Sequence, residues 1–369
     1  MNLSSTLFEW SRTVTGAGAV IDERSAQALV RYIVELDFGC DNYYVETRLS
    51  SLPQTDLLLA FERYSPNLTR LQQRVRRLAR DAAPASQSAW RTAEQFLERW
   101  LSPADPLHEA VSTVWLEFDD VLRPLSEAAP SLSACAVPAY SACFEPRKAN
   151  APAIAGALQI AHRALCGADG NSTDFQRMNM AIERLPSNGR FIHLSHMAAR
   201  NSADVKLYGV VPRAEFVTYL ERIGFAGNLA RLAELLNSLY TRELCGEDLY
   251  FDLNLSNMHS PRRASLGLAF SQQQVVAAAS QEGDRSALLA RLRGIGLCDA
   301  AQASALAEWG AYGSQSGSWS KPWVRRWLDL KCVMNASGEL ESKAYLGFAQ
   351  RRSPFAVASL PHPIEHAPP

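Results

Sequence analysis

Two short stretches of the sequence place a lysine and a tyrosine two residues apart within an apolar segment. "ADVKLYGVVP" carries Lys206 and Tyr208, and "ESKAYLGF" carries Lys343 and Tyr345. Because side chains alternate between the two faces of a β-strand, each pair would share one face. Ammonium groups bind anions, and the faces of phenol rings attract cations. The two segments are therefore either solvent-facing strands or parts of a polar binding site.

The composition indicates a soluble globular chain with a core of ordinary size. Hydrophobic residues make up 47% and charged residues 20% of the 369 residues. With 37 basic and 38 acidic residues, no overall field attracts nucleic acid or an anionic membrane. We therefore expect neither as a partner, and any bound anion needs a local cluster of positive groups.

The N-terminal sequence and the cysteines favour a cytoplasmic protein. The first residues lack a basic segment followed by an apolar run, so we expect no signal peptide. No apolar run reaches the roughly 18 residues of a membrane helix. The seven cysteines are scattered and form no CxxC pair, which indicates reduced thiols and not a zinc site.

The chain is organised as five repeats of two strand-like segments followed by helical segments. We predict a single domain over residues 1–352, with helices in 1–40, five ββαα repeats in 42–348, and an irregular Pro-rich tail at 353–369. The paired strand segments are 42–50 with 55–63, 111–119 with 138–146, 190–197 with 203–211, 248–256 with 263–270, and 325–334 with 341–348.

This order predicts an α+β fold, namely a barrel of about ten antiparallel strands inside a ring of helices. It lacks the βαβ alternation of a parallel sheet, and its helical segments are too long for a sandwich. One face of the strands is apolar and would lie under the helices, so the polar face meets bulk water or lines a lumen. The apolar face would carry Leu116, Phe118, Ile192, Leu194, Val205, Leu207, Phe251, Leu253, Leu266, Leu268, Leu328, Leu330, Leu346 and Phe348. The polar face would carry Glu117, Asp119, His193, Ser195, Lys206, Tyr208, Asp252, Asn254, Ser265, Gly267, Asp329, Lys331, Lys343 and Tyr345.

The repeats and their motifs resemble the ABBA-type aromatic prenyltransferases, whose fold is the PT barrel. The resemblance covers about residues 42–348 and rests on "VKLYGVVP", "SKAYLGF" and "VWLEFD". It implies a barrel that binds a prenyl diphosphate donor and an electron-rich aromatic acceptor, which is an indole, a phenol or a peptide side chain. It also implies an enzyme of secondary metabolism that transfers an alkyl or aryl group other than methyl.

The resemblance implies roles for particular residues of this chain. Glu117 in "VWLEFD" would orient or deprotonate the acceptor, and His193 would line the lumen beside Lys206. The residues that match the diphosphate-binding and cation-shielding positions, or lie on strands beside them, are Lys206, Tyr208, Arg263, Lys331, Lys343 and Tyr345.

These residue types suit the reaction on chemical grounds as well. Each charge-assisted hydrogen bond to a buried diphosphate contributes about 1.5–3 kcal/mol. Cleavage of the C–O bond leaves an allylic cation, which a tyrosine face stabilises by about 2 kcal/mol when water is excluded. A carboxylate can take the proton that the aromatic ring loses.

Several features depart from the family pattern and leave alternatives open. "PAYSACFEP" lacks a basic residue, and the fourth repeat has no clear K-x-Y. The alternative is a binding barrel, or an enzyme of another kind, that holds an anionic or peptide ligand without prenyl transfer. Glu117 could equally pair with an arginine. "EFDDVLRP" is only half of an aspartate-rich motif, so no cofactor is predicted and a role for Mg²⁺ stays open.

Two further segments have two interpretations each. The Gly/Ser-rich segment 310–327, with three tryptophans, is either a lid over the barrel rim or a plain connection whose tryptophans anchor the last hairpin. The arginine-rich segment 70–83 is either the solvated face of an outer helix, which we favour, or a surface that binds nucleic acid or a leader peptide.

Overall fold

The computed structural model describes residues 17–49, 55–82, 84–119, 138–144, 151–167, 172–198, 204–241, 244, 246–270, 285–311 and 323–351. The predicted tail at 353–369, the predicted helix near 271–281 and residues 312–322 of the predicted lid lie outside these ranges.

Ten antiparallel strands form a closed barrel, as the paired segments predicted. Each strand pairs with its neighbours in the chain, and the first strand pairs with the last to close the barrel. The strands are β1 Asn42–Arg48, β2 Thr55–Glu62, β3 Thr113–Phe118, β4 Ala139–Cys143, β5 Arg190–His196, β6 Val205–Pro212, β7 Asp248–Asn254, β8 Ser265–Phe270, β9 Trp323–Asn335 and β10 Leu340–Arg351.

Helices separate successive hairpins, so the five strand pairs keep the predicted order. A 3₁₀ turn, Arg213–Glu215, leads into one of them. The helices are α1 Ala17–Val20, α2 Glu23–Leu36, α3 Leu68–Asp81, α4 Pro84–Leu101, α5 Pro106–Ala110, α6 Ala151–Cys166, α7 Thr173–Glu183, α8 Phe216–Arg222, α9 Leu229–Ser238, α10 Arg285–Gly294 and α11 Ala300–Ala311.

Side-chain caps show why several helices begin where they do. Asp22, Ser172 and Asn228 each accept a hydrogen bond from the backbone N–H three residues later. Such a cap satisfies one of the N–H groups that a helix start leaves without a partner. These signals are local, which is why most helix positions could be predicted from the sequence.

The main core lies between the barrel and the helices. Leu207, Leu253 and Leu346 on successive repeats are fully buried there. The prediction for Ile192 was wrong, because a β-bulge interrupts the pairing of β5 with β6 at this residue. Phe191 occupies the core instead, where its ring packs on Phe251 at 6.4 Å. A bulge shifts the alternation of side chains by one residue, and periodicity alone cannot locate it.

The arginine-rich helix α3 lies on the outer surface, as its solvated-face interpretation predicted. Arg76 forms ion pairs with Glu94 and Glu98 of α4, and Arg70 pairs with Asp37. In the part of the chain that the structure describes, no helix is both long and apolar enough to span a membrane.

Candidate active site

The polar face of the barrel strands points into the lumen, the space that the ten strands enclose. Side chains from eight strands interact there through contacts and charges. The predicted residues on this face include Glu117, His193, Lys206, Tyr208, Asp252, Asn254, Lys331, Lys343 and Tyr345, and the structure adds Tyr44, Glu46, Asp56, Trp115 and Trp327.

Lysine is scarce in this protein, and the described lysines all lie on the lumen face. Only five of the 37 basic residues are lysines. Of these, Lys206, Lys331 and Lys343 fall in the described ranges, and they project from β6, β9 and β10. The described outer surface carries its positive charge on arginines such as Arg76 and Arg231. The lumen therefore contains all three lysine ammonium groups that the structure describes.

Lys343 is buried against an acidic partner on the neighbouring strand. Its ammonium contacts the carboxylate of Glu46 on β1, which also accepts a hydrogen bond from Tyr345. Burial opposes ionisation of Glu46, but the charges of Lys343 and Lys331 outweigh it and lower the pKa of this carboxyl. Burial likewise opposes the charge of Lys343, yet Glu46 raises its pKa above the usual value. Both groups are therefore charged at neutral pH.

Lys331 forms the second buried ion pair, with Asp252 of β7. The side chain reaches its partner across β8, where Gly267 lies between them. A Cβ at Gly267 would clash with both the Asp252 carboxylate and the Lys331 side chain. The ammonium also lies over the Tyr208 ring, 5.6 Å from its centre. A residue without a side chain is therefore required on this wall of the lumen.

Lys206 and Tyr208 on β6 face the lumen together, as their spacing predicted. Both are half-buried, and the charge of Lys206 helps to lower the pKa of Asp252. The His193 ring lies 5.6 Å from that of Tyr208 and 6.2 Å from that of Trp115. Burial lowers the pKa of His193 to about 4, so this histidine is neutral at pH 7.

Three carboxylates meet on the wall formed by β1, β2 and β3. Oxygens of Glu46, Asp56 and Glu117 all lie within 4.8 Å of one another, and the three residues are buried. Carboxylate oxygens are ligands that Mg²⁺ prefers, so these are the residues that would bind a divalent cation. The Lys343 ammonium, in contact with Glu46, already supplies positive charge to this cluster.

Aromatic rings lie beside the carboxylates. Tyr44 on β1 stacks at a tilt on Trp115, with 4.7 Å between ring centres, and meets Trp327 edge-on at 5.1 Å. The indole of Trp327 covers Gly347, where a Cβ would clash with it. Such rings offer flat apolar surfaces for an aromatic ligand and electron-rich faces for a cation.

Trp327 lies within strand β9, as the predicted strand 325–334 placed it. The predicted connection extended to residue 327, but β9 begins at Trp323. The indole N–H of Trp309 also bonds to the backbone oxygen of Trp327, at 2.8 Å. Residues 312–322, the rest of the predicted lid or connection, lie outside the described residues.

Tyr345 occupies a position that is influenced by charges from several strands. Burial raises the pKa of its phenol well above the usual value, and the negative charges of Glu46, Glu117 and Asp252 add to this effect. The phenol is therefore neutral and can donate its hydrogen bond. Its central position follows from the pairing of β10 with β1, which sets Tyr345 opposite Glu46.

Arg263 does not join the lumen cluster. It is exposed and lies in the turn before β8, where its backbone N–H bonds to the oxygen of Ser260 at 3.2 Å. The strand begins at Ser265, two residues later than the sequence predicted, so Arg263 lies before the strand and not on its lumen face. Binding of substrate by Arg263 stays a prediction.

Sequence reasoning also missed part of the site. Glu46 and Tyr44 share a face of β1, and the alternation in "NYYVETRLS" could have found them. Asp56 is the second residue of β2 and comes just before the apolar run 57–61. An aspartate at the start of a strand is easily taken for part of the preceding turn. Nothing local showed that β1 would pair with β10 and bring Glu46 to Lys343.

Comparison with known proteins identifies the fold. No family model matches the sequence, and no curated protein matches it. Among solved structures, 5-dimethylallyltryptophan synthase from Streptomyces coelicolor is similar with a TM-score of 0.54 and 14% identity, over 94% of this chain and 97% of that one. The binary complex of PriB with product diphosphate gives a TM-score of 0.54 and 15% identity, over 93% and 94%.

A third structure extends the same likeness. The ternary complex of the prenyltransferase PriB with L-tryptophan and dimethylallyl thiolodiphosphate has a TM-score of 0.53 and 14% identity, over 95% of this chain and 97% of that one. The closed ten-stranded barrel is therefore a PT barrel, as predicted. At this level of identity the likeness shows the fold alone, and function has to be argued from the lumen.

Proposed function

We propose that this protein transfers an allylic prenyl group from a prenyl diphosphate to an electron-rich aromatic acceptor, such as an indole, a phenol or a peptide side chain. The observation that carries this proposal is the convergence of three lysines, two tyrosines and Glu117 in the lumen of a PT barrel. The similar PriB structures contain diphosphate, or L-tryptophan with a dimethylallyl thiolodiphosphate, which supports the same pair of substrates here.

The lysines would hold the diphosphate of the donor. Lys331 and Lys343 each contact a carboxylate, but an ammonium group has three N–H donors, so one such contact does not exhaust it. Lys206 adds a third positive charge on a half-buried side chain. A diphosphate bound by these groups is a better leaving group, because their charges stabilise the negative charge that develops on it.

The chemical step is an electrophilic aromatic substitution. The bond between the allylic carbon and the diphosphate oxygen breaks, and both electrons leave with the diphosphate. The rings of Tyr208 and Tyr345 face the lumen and would stabilise the allylic cation. A ring carbon of the acceptor then forms the new C–C bond, and the carboxylate of Glu117 takes the proton that the ring loses. His193, which is neutral, contributes polar surface beside Tyr208.

A second candidate function is a barrel that binds a ligand without prenyl transfer. Four buried carboxylates, those of Glu46, Asp56, Glu117 and Asp252, face three lysines in the described lumen. Two of the lysines are already paired internally, which weakens the attraction for a diphosphate. The same acidic wall would attract a basic peptide or an amine. This observation favours the alternative that the fourth repeat's missing K-x-Y suggested.

Isothermal titration with thiolo-analogues of dimethylallyl, geranyl and farnesyl diphosphate tests the proposal. We expect micromolar binding of one analogue by the wild type and a loss of at least tenfold in Lys206→Ala and Lys343→Ala. Arg231→Ala is the matched control, because this arginine is exposed on α9 and pairs with Glu234. The preferred donor is then incubated with an acceptor library, and products are detected by mass spectrometry.

The outcomes separate the two functions. Turnover that Glu117→Gln reduces at least a hundredfold, with donor binding unchanged, agrees with a carboxylate that acts on the acceptor. Binding without any product supports the second candidate. If the wild type binds no analogue, the lumen does not serve prenyl transfer.

We also propose that the protein works in the cytoplasm as a single domain over residues 1–352. Five cysteines of the described ranges, including the buried Cys40 and Cys332, are free thiols, which suits a reducing compartment. The pairing of β1 with β10 joins the first repeat to the last, which suits one folding unit. A single cooperative unfolding transition over the whole chain would agree with this proposal.

A further inference from the structure

The side-chain oxygen of Asn254 is a buried hydrogen-bond acceptor without a partner among the described residues. Asn254 is the last residue of β7, is 6% exposed, and shares the lumen face with Asp252. Its Oδ1 is buried and receives no hydrogen bond. A polar atom left in this state costs about 1–3 kcal/mol, and native proteins seldom leave one without a reason.

The orientation of this amide is fixed by its neighbour. The Nδ2 of Asn254 donates to a carboxylate oxygen of Asp204, at 2.8 Å. A carboxylate accepts hydrogen bonds and cannot donate them, so the amide nitrogen must point to Asp204 and the oxygen must point away from it. The atom without a partner is therefore the amide oxygen and not the amide nitrogen.

The surrounding turn holds this arrangement in place. Ser256 donates to Asp174 of α7 at 2.7 Å and accepts from the backbone N–H of Val205 at 3.0 Å. The guanidinium of Arg177 donates to the backbone oxygens of Leu255 and Ser256. These bonds connect the start of β6, the turn that follows β7, and helix α7. The acceptor oxygen is therefore preorganised and not the tip of a loose loop.

The chemistry of the orphaned oxygen excludes one substrate and selects another. A diphosphate presents oxygens without protons, which a carbonyl oxygen repels, whereas an N–H group supplies the missing proton. Asp252, two residues away on the same face, is paired with Lys331, and Lys206 lies opposite Asn254 on β6, so this wall carries charges of both signs. The orphaned oxygen itself can only accept a hydrogen bond and therefore suits an N–H donor.

We infer that Asn254 Oδ1 accepts a hydrogen bond from an ammonium or amide N–H on the side chain of the aromatic acceptor, and so selects acceptors that carry such a group. This inference rests on the proposed function for the identity of the ligand as an acceptor. It assigns Asn254 as a specificity-determining residue on β7, in the position opposite Lys206 of β6.

Two matched indoles test the inference. Tryptamine and 3-ethylindole have the same ring and the same two-carbon chain, but only tryptamine ends in an ammonium group. In isothermal titration, we expect the wild type to bind tryptamine at least about fivefold more tightly than 3-ethylindole. In Asn254→Leu, which has a similar volume and no acceptor, the two affinities should agree within twofold. If this variant does not fold, Asn254→Ala takes its place.

Asn257→Leu is the control for damage to the turn. Asn257 also donates to Asp204, at 3.3 Å, but it follows the end of β7. This variant should keep the wild-type preference for tryptamine. The inference is overturned if the preference survives in Asn254→Leu, if Asn257→Leu loses it equally, or if the wild type binds neither indole.

The donor analogue separates this inference from the proposed function. Dimethylallyl thiolodiphosphate is titrated into the same proteins, and its affinity should not change in Asn254→Leu. A tryptamine preference that depends on Asn254, in a protein that binds no donor analogue, supports the inference and contradicts prenyl transfer. Donor binding and turnover with no effect of Asn254 contradict the inference alone.

Discussion

The two K-x-Y motifs have the same sequence pattern but different surroundings. On β10, Lys343 is 8% exposed and its ammonium contacts the Glu46 carboxylate. On β6, Lys206 and Tyr208 are both half-buried. One lysine is thus part of a buried ion pair, and the other is more accessible from the lumen.

The difference originates in the neighbouring strands. β10 pairs with β1, whose register places Glu46 opposite Tyr345 and next to Lys343. β6 pairs with β7, whose register places Asn254 opposite Lys206 and Asp252 opposite Tyr208. A motif on one strand fixes which side chains share a face, but the adjacent strands decide which partners they meet. Four predictions test this contrast, in order of decreasing expected effect.

Loss of the buried lysine should be far more destabilising than loss of the accessible one. Lys343→Met leaves Glu46, which is 3% exposed, as a buried charge without its ammonium partner. We expect the free energy of unfolding to fall by about 3–5 kcal/mol. Lys206→Met should lower it by about 1 kcal/mol or less. Urea denaturation monitored by circular dichroism measures both.

The double variant Glu46→Gln, Lys343→Met serves as the control. It removes both charges together, so most of the lost stability should return. Equal losses in Lys343→Met and Lys206→Met would contradict the contrast between the two motifs.

A methyl group at Gly267 should damage the wall beside Tyr208. Gly267→Ala places a Cβ against the Asp252 carboxylate and the Lys331 side chain, so the ion pair must move. We expect a loss of about 1–3 kcal/mol in the free energy of unfolding. Gly156→Ala is the matched control, because Gly156 lies within α6 with open space around it and should gain about 0.5–1 kcal/mol. Similar shifts in both variants would rule out the crowding at Gly267.

Acid should affect the β6 side of the lumen before the β10 side. The pKa of His193 is lowered to about 4 in the folded protein, against an unfolded value of about 6.5. The unfolded chain therefore binds more protons between these pH values, and the free energy of unfolding falls as pH decreases from about 6.5 towards 4. His193→Phe keeps a ring beside Tyr208 but cannot titrate, so the fall should be smaller.

Urea titrations at several pH values measure this effect. The pKa of Glu46 is lowered, so its ion pair with Lys343 should stay charged across the same range. His162 and His196 also have lowered pKa values, because of burial, and should retain part of the pH dependence in the variant. An unchanged slope in His193→Phe would show that His193 does not contribute.

The smallest effect is expected at Arg263, which lies in the turn before β8. Because the side chain is exposed in the turn before β8, Arg263→Ala should change the free energy of unfolding by less than about 0.5 kcal/mol. Its affinity for dimethylallyl thiolodiphosphate should stay within twofold of the wild type. A tenfold loss of affinity for this donor analogue in Arg263→Ala would mean that Arg263 contacts the bound donor.

Most of the fold could be predicted because its signals are local. Period-two segments in pairs, separated by helical segments with capping residues, predicted the five repeats and the order of the strands. The errors arose where a local irregularity shifts the alternation or the start of a strand. The bulge at Ile192 moved Phe191 into the core, and the late start of β8 left Arg263 outside the strand.

The site was only partly predictable. The spacing of Lys206 with Tyr208 and of Lys343 with Tyr345 correctly assigned four side chains to the lumen face, and the scarcity of lysine would have strengthened the choice of Lys331. Asp252 was placed on the same polar face, but its pairing with Lys331 was not predicted, and Glu46 was not found. Each ion pair joins strands that are not neighbours in the chain. Glu46 and Lys343 are separated by 297 positions and meet only when the barrel closes.

The sequence by itself determined which residues share a strand face, because alternation is a property of the extended backbone and needs no partner. Only the tertiary structure decided the electrostatic character of the lumen. Closure through β1 and β10 brings the Glu46 carboxylate to Lys343, and the register of β7 on β6 places Asn254 opposite Lys206. Charge interactions depend on distances across the barrel, and those distances are set by strand pairing and not by spacing along the chain.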